Sequence, residues 1–120
     1  MRSPRDFFKP MAVGAPDPLT EVPFPPSRMI HFVDCSNEKM VAKLPGMIEA
    51  SDIILGNLED AVPVDRKIAA REGLVKVGKE FDFGETQLWT RVNELASPWV
   101  LDDLRTLVSE IGDKLDVIMV

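Results

Sequence analysis

A parallel α/β fold, preceded by an extended proline-rich arm, is the architecture predicted by this 120-residue sequence. Three observations carry that reading. Seven of the ten prolines crowd into the first 26 residues. After Arg28, four short apolar, β-rich runs recur along the chain, and each pair of runs is separated by a segment with helical periodicity. The resulting order, βαβαβαβ, favours parallel strands joined by crossover helices.

Pro4, Pro10, Pro16, Pro18, Pro23, Pro25 and Pro26 exclude a regular helix or a central strand over residues 1–28, because proline lacks the amide donor and restricts its predecessor. Phe7, Phe8, Met11, Leu19 and Phe24 give this arm apolar anchors. Met29-Ile-His-Phe-Val33 then reads as a buried strand. Ser36 or Asn37 caps a helix to about Lys43, with Glu38 complementing its dipole. Pro45 restarts that helix, which runs to about Ala50. A second strand covers 52–58. Asp65 is placed to cap the next helix, whose inward face would be Ala70, Leu74, Val77 and Phe81. Phe83-Gly84-Glu85 makes a turn, and a third strand covers 87–92. Ser97 with Pro98 marks a helix start. Leu101, Leu104, Leu107, Val108 and Ile111 form its apolar stripe, and Gly112 stops it. A fourth strand covers 115–120. Three and a half β/α units over 29–120 is a fragment's count, so the chain is expected to be part of a longer fold.

Composition is that of a globular domain, with 45% hydrophobic and 28% charged residues. No run approaches the ~20 apolar residues of a membrane span. The N-terminus has no secretory apolar region, so a cytoplasmic protein is expected. A net charge of −6 argues against nucleic acid, which needs a basic face. One cysteine, Cys35, and one histidine, His31, exclude a disulfide framework and a Cys/His zinc site. Any Ser-His-Asp or Cys-His hydrolase would rest wholly on His31, which sits in an apolar strand and reads as a core or interface residue. Trp89 and Trp99 read as core. No phosphate-cradling glycine motif is present.

In a parallel α/β fold, chemistry gathers at the carboxyl ends of the strands. The polar residues there are Asp34, Cys35 and Ser36 after the first strand, Glu59 and Asp60 after the second, and Arg91 and Asn93 at the third. Arg91 is the most informative, since a guanidinium inside a strand needs an anionic partner. Two readings are open for it. One is a clamp on a substrate carboxylate or carbonyl; the other is a structural ion pair with Glu59 or Asp60. Those two acids are adjacent, so in an extended strand they point to opposite faces. As oxygen donors they suit Mg²⁺, or else a plain ion-pair role.

The stretch Gly56-Asn-Leu-Glu-Asp-Ala-Val-Pro63, with Lys67-Ile-Ala-Ala-Arg71 after it, resembles the "LEDAV-P…K…AR" segment of the citrate lyase β-subunit-like (HpcH/HpaI-type) aldolases. Trp89-Thr-Arg-Val-Asn93 is similar to their "VRVN" strand. Ser97-Pro-Trp-Val-Leu-Asp-Asp103 and Leu115-Asp-Val-Ile-Met119 match the helix and strand that follow. Phe8-Lys-Pro-Met-Ala-Val-Gly-Ala-Pro16 resembles the branch that cleaves malyl-CoA and β-methylmalyl-CoA.

This resemblance implies the amino-terminal portion of a TIM (β/α)₈ barrel. It implies Mg²⁺-dependent, reversible carbon–carbon cleavage of a 3-hydroxyacyl-CoA to glyoxylate and acetyl-CoA or propionyl-CoA. Arg91 matches the family arginine that contacts the substrate oxygen, and Glu59 and Asp60 match the supporting acidic pair. The metal-binding carboxylates are expected beyond Val120, so the chain by itself is expected to be inactive. Where many relatives have Pro-Gly and an arginine, this chain reads Asp34-Cys-Ser-Asn37. That leaves Phe32 and Lys39, or Lys43, as candidate contacts for the acyl-CoA thioester. The full-length protein is expected to be a homo-oligomer. The competing reading is a free-standing flavodoxin-like module with helices on both faces, binding CoA or a partner without catalysis.

Overall fold

The computed structural model describes residues 27–120. The arm expected over 1–28, with its apolar anchors, lies outside these residues apart from Ser27 and Arg28. Four strands form one parallel sheet: β1 (Ile30–Val33), β2 (Ile53–Asn57), β3 (Gln87–Arg91) and β4 (Val117–Met119). Their spatial order, β1-β2-β3-β4, follows the chain. Between them run α1 (Glu38–Val41), α2 (Leu44–Ala50), α3 (Lys67–Glu80) and α4 (Val100–Ile111).

The core shows which faces of the sheet are covered. Its strand members are Val33, Ile54, Leu58, Leu88 and Val92, with Ile118 packed against them. Registers Val33↔Gly56↔Thr90↔Ile118 and Ile54↔Leu88 put these residues on one face. Against it pack Leu44 of α2, Ala70, Leu74 and Val77 of α3, and Val100, Leu107 and Ile111 of α4. A single helix layer on a sheet whose order follows the chain is the pattern of a β/α barrel's amino-terminal part, here without closure. A flavodoxin-like fold would require helices on both faces and a reordered sheet, so that alternative is excluded.

The local signals largely hold. The Asn37 side chain caps α1 by accepting from the Lys39 amide at 3.1 Å. Pro45 sits in the first turn of α2, where its missing amide costs nothing. Gly84 adopts φ +55° in the turn before β3, a conformation that suits glycine. The expected inward residues of α3 are buried, with Phe81 half-buried beside them. Among the described residues no helix is long and apolar enough to cross a membrane.

Four local expectations are corrected. β1 is not buried: only Val33 is, while Ile30, His31 and Phe32 are exposed, because β1 is an edge strand. Asp65 does not cap α3. A 3₁₀ turn over Val64–Arg66 leads into that helix, and the amides of Arg66 and Lys67 are satisfied by the Pro63 and Val64 carbonyls. Ser97 does not cap α4 either. Its amide closes a turn onto the Glu94 carbonyl at 2.9 Å, and the helix begins at Val100. Finally, α4 buries Val100, Asp103, Leu107 and Ile111, leaving Leu101 and Val108 exposed. The buried stripe contains a carboxylate, which a purely apolar periodicity passes over.

At Gly73, α3 runs close against the loop that follows β1. A Cβ there would lie 2.1 Å from the backbone oxygen of Cys35, in the loop after β1. Backbone cannot rotate aside, so Gly73→Ala is expected to destabilise by about 1–3 kcal/mol despite alanine's better helix propensity. Chemical denaturation checks this; an increase in stability would contradict the packing.

Asp52 anchors the entry to β1. Its Oδ2 accepts the Arg28 and Met29 amides at 2.8 and 3.0 Å. These two bonds, aided more weakly by the Arg28 charge, hold the Asp52 carboxyl below its ordinary value. A depressed carboxyl stabilises the fold above the unfolded pKa of about 3.9, and that contribution is lost as pH falls through the folded value. Asp52→Asn is therefore expected to lower stability at neutral pH. Its difference from wild type should shrink below about pH 4, as followed by denaturation at several pH values. A pH-independent difference would contradict the assignment.

Candidate active site

The carboxyl ends of β2 and β3 bring Arg91, Glu59 and Asp60 together. Arg91 is the last residue of β3 and pairs in register with Asn57 and Met119. Its neighbours Thr90 and Val92 face the helix layer, so Arg91 belongs to the other face, two positions above the row Phe32, Leu55, Trp89 and Val117. The guanidinium forms ion pairs with both acids: Nη1 meets Asp60 Oδ2 at 3.1 Å, and Nη2 meets Glu59 Oε2. That Glu59 oxygen is buried, and its contact with Arg91 lacks the alignment of a hydrogen bond.

Adjacent acids in a strand would diverge, yet here both reach one cation. The reason is that β2 ends at Asn57 and the chain bends immediately after it. The Glu59 amide donates to Asn57 Oδ1 at 3.0 Å, and the Leu58 amide donates to the Arg91 carbonyl at 2.9 Å, tying the bend to β3. The ion pair foreseen as one reading of Arg91 is present. It engages one terminal nitrogen with each acid, and the Arg91 Nε–H has no hydrogen-bond partner among the described residues.

Three further cations fix the loops around this cluster. Buried Lys67, the first residue of α3, donates to the carbonyls of Leu58 at 2.8 Å and Glu59 at 2.5 Å. Its ammonium also lies 5.9 Å from the centre of the Trp99 ring. Arg66 donates to the Ser36 carbonyl at 2.5 Å, linking the loop after β1 to the start of α3. Arg71 pairs with buried Asp103 at 3.0 Å, and the other Asp103 oxygen accepts from the Asn93 side chain at 2.6 Å. Asn93 is thus tied to α4 through Asp103. Sequence reasoning placed Lys67 and Arg71 only within a motif and gave them no role. Asp103 likewise stood only within a motif, its one further signal an acid at a core position of α4, and Arg66 was missed altogether.

The remaining candidates stand apart. Phe32 is 51% exposed on β1. Lys39 and Lys43 are exposed on the segment that follows β1, outside the Arg91 cluster. Asp34 accepts from the Ser36 amide and hydroxyl at 2.9 and 2.6 Å. Burial, helped by the Asp34 charge, pushes the Cys35 thiol up to about 12. It stays protonated at neutral pH and is no nucleophile. His31 is exposed at the sheet edge rather than in a core. Trp89 and Trp99 are half-buried.

Among the described residues no three His, Cys, Asp or Glu side chains converge as a metal's ligand set. Mg²⁺ surrounds itself with six oxygens and can retain several waters. Glu59 and Asp60, already paired with Arg91, do not assemble such a site by themselves. A recess of about 740 Å³, lined by Ile48, Asp52, Phe83 and Thr86 among others, opens at the amino ends of β2 and β3. It lies at the opposite end of the sheet from Arg91, on the side where β/α folds carry stability rather than chemistry.

The chain is 51% identical to the malyl-CoA/β-methylmalyl-CoA/citramalyl-CoA lyase of Chloroflexus aurantiacus over 115 residues, covering 96% of this chain and 33% of that protein. It is 36% identical to the (3S)-malyl-CoA thioesterase of Cereibacter sphaeroides over 79% of its length and 32% of the relative's. Against the mitochondrial citramalyl-CoA lyase of Homo sapiens it is 32% identical, over 69% of its length and 24% of the relative's. The chain thus spans about a third or less of the curated relatives it matches. The sequence profile described as HpcH/HpaI aldolase/citrate lyase covers residues 28–120, the whole of the described sheet with its helices, and the chain belongs to that family.

Proposed function

We propose that the complete protein carrying this chain is a carbon–carbon lyase. It cleaves malyl-CoA or β-methylmalyl-CoA reversibly to glyoxylate and acetyl-CoA or propionyl-CoA. The observation that carries this reading is Arg91, a half-buried guanidinium at the carboxyl end of β3, held by two carboxylates with its Nε–H left unpartnered among the described residues. Once the substrate hydroxyl has given its proton to a base, cleavage of the C–C bond passes negative charge from that alkoxide oxygen, as it becomes the glyoxylate carbonyl, to the oxygen of the departing enolate. A fixed, forked cation suits such charge. Glu59 and Asp60 support Arg91 rather than reacting, since both are committed to it. Phe32 and Lys39 are proposed contacts for the thioester side. The names of the matched lyases support the substrate class.

Mg²⁺ is the proposed cofactor, supplying Lewis-acid polarisation of the glyoxylate oxygens. The described residues do not complete its ligand set. The test is an assay of the complete gene product with malyl-CoA, in excess Mg²⁺ and again after chelation. Glyoxylate release that vanishes on chelation and returns with Mg²⁺ is expected. Absence of glyoxylate under both conditions would overturn the reading.

A further inference from the structure

We propose that Lys67 is a positioning residue for Arg91, acting through the bend at Leu58–Glu59; the catalytic part of this inference rests on the lyase reading above. Lys67 is 7% exposed, and an ammonium at that depth must recover its lost hydration from fixed partners. Its partners are two consecutive carbonyls, those of Leu58 and Glu59, and the face of Trp99. In an extended chain, consecutive carbonyls point in opposite directions. One ammonium can hold both only if the chain turns at that point, immediately after β2.

That turn has a consequence for charge. Glu59 and Asp60 would diverge from an extended strand, and the bend instead delivers both carboxylates to Arg91. The four groups, two anions and two cations, form one balanced unit in two tiers. Lys67 grips the backbone beneath, and Arg91 is gripped by the side chains above. A methionine at position 67 could fill the same apolar space without holding the carbonyls. Such a variant loses the grip on the Leu58 and Glu59 carbonyls as well as the charge, so its effect on stability has to be read beside its effect on Arg91.

The test compares Lys67→Met and Lys67→Gln with Leu107→Ala in the complete protein. Leu107 lies in the α4 core, takes no part in the Arg91 cluster, and its truncation destabilises the fold without touching the turn. Two readouts are taken: kcat and KM with malyl-CoA, and the NMR resonance of the Arg91 Nε–H in the protein without ligand. Lys67→Met is expected to lower kcat roughly tenfold to a hundredfold per folded molecule, as small misplacements of a catalytic group do. KM should change much less, and the Arg91 resonance should shift. Lys67→Gln keeps one donor and should lie between. Leu107→Ala should lower the melting temperature but leave kcat and the resonance in place.

If the wild type does not cleave malyl-CoA, the lyase reading fails, and the Arg91 resonance alone decides the positioning role. A resonance unmoved by Lys67→Met overturns the proposal, as does a kcat preserved while the melting temperature falls. Should Lys67→Met not fold, Lys67→Gln carries the same comparison. Failure of both to fold makes Lys67 a requirement of the fold and also overturns it.

Discussion

Replacing Arg91 with lysine is expected to lower turnover of the complete protein by roughly 10²–10³, the usual cost of losing one aligned donor to developing charge. The charge is conserved in this substitution, so a Coulombic role alone would be largely preserved. What is lost is the planar fork. Lysine is a point charge on a flexible stem and cannot meet Glu59, Asp60 and a third oxygen at once with fixed geometry. The melting temperature should change little. Asp60 is exposed and Arg91 half-buried, and lysine keeps a positive charge beside Glu59, so the ion pairs lose little stability. A structural arginine would show the reverse pattern, a lowered melting temperature with turnover per folded molecule unchanged. Measuring both quantities on the same preparations separates the two readings that the sequence leaves open.

The largest stability effect is expected at Asp103. Its side chain is 1% exposed and answers two elements at once, the Arg71 guanidinium of α3 and the Asn93 amides beyond β3. Asp103→Ala leaves Arg71, whose side chain is only 12% exposed, without its anion. Breaking a buried pair in this way costs about 3–5 kcal/mol. Removing both charges together, as in Arg71→Met with Asp103→Leu, should recover part of that loss, because the Arg71 charge is no longer stranded while the buried Asn93 amides still lack their acceptor. Denaturant titration of the single and double variants checks this. A single-variant loss below about 1 kcal/mol would mean the network is not coupled to folding.

Elements with a strong local cause were legible in the sequence. Asn37 supplies a side-chain cap, Pro45 restarts a helix, Gly84 makes a turn, and Ala70, Leu74 and Val77 share a face. The errors arose where tertiary context competes with local signals. Ser97-Pro98 looks like a helix start, but the chain spends that stretch on a turn and begins α4 later. Met29–Val33 is apolar enough for a buried strand, yet its place at the sheet edge leaves Phe32 exposed. At the site, Arg91 was visible because a guanidinium in a strand is anomalous. That both Glu59 and Asp60 would reach it was not visible, since it depends on a bend. The bend is held by the Asn57 side chain, by the Val62 amide on the Glu59 carbonyl and by Lys67 on the Leu58 and Glu59 carbonyls, and a sequence does not display such bonds.

The central claim is that the Arg91 cluster serves the breaking of a carbon–carbon bond rather than of a thioester bond. The thioesterase relative makes this distinction a pointed one, because it shares 36% of aligned residues with this chain. Quantifying all products from malyl-CoA in one reaction of the complete protein tests the claim most directly. Glyoxylate and acetyl-CoA in equal amounts, with no early release of free CoA thiol, is the predicted result. Malate and free CoA without glyoxylate would contradict it.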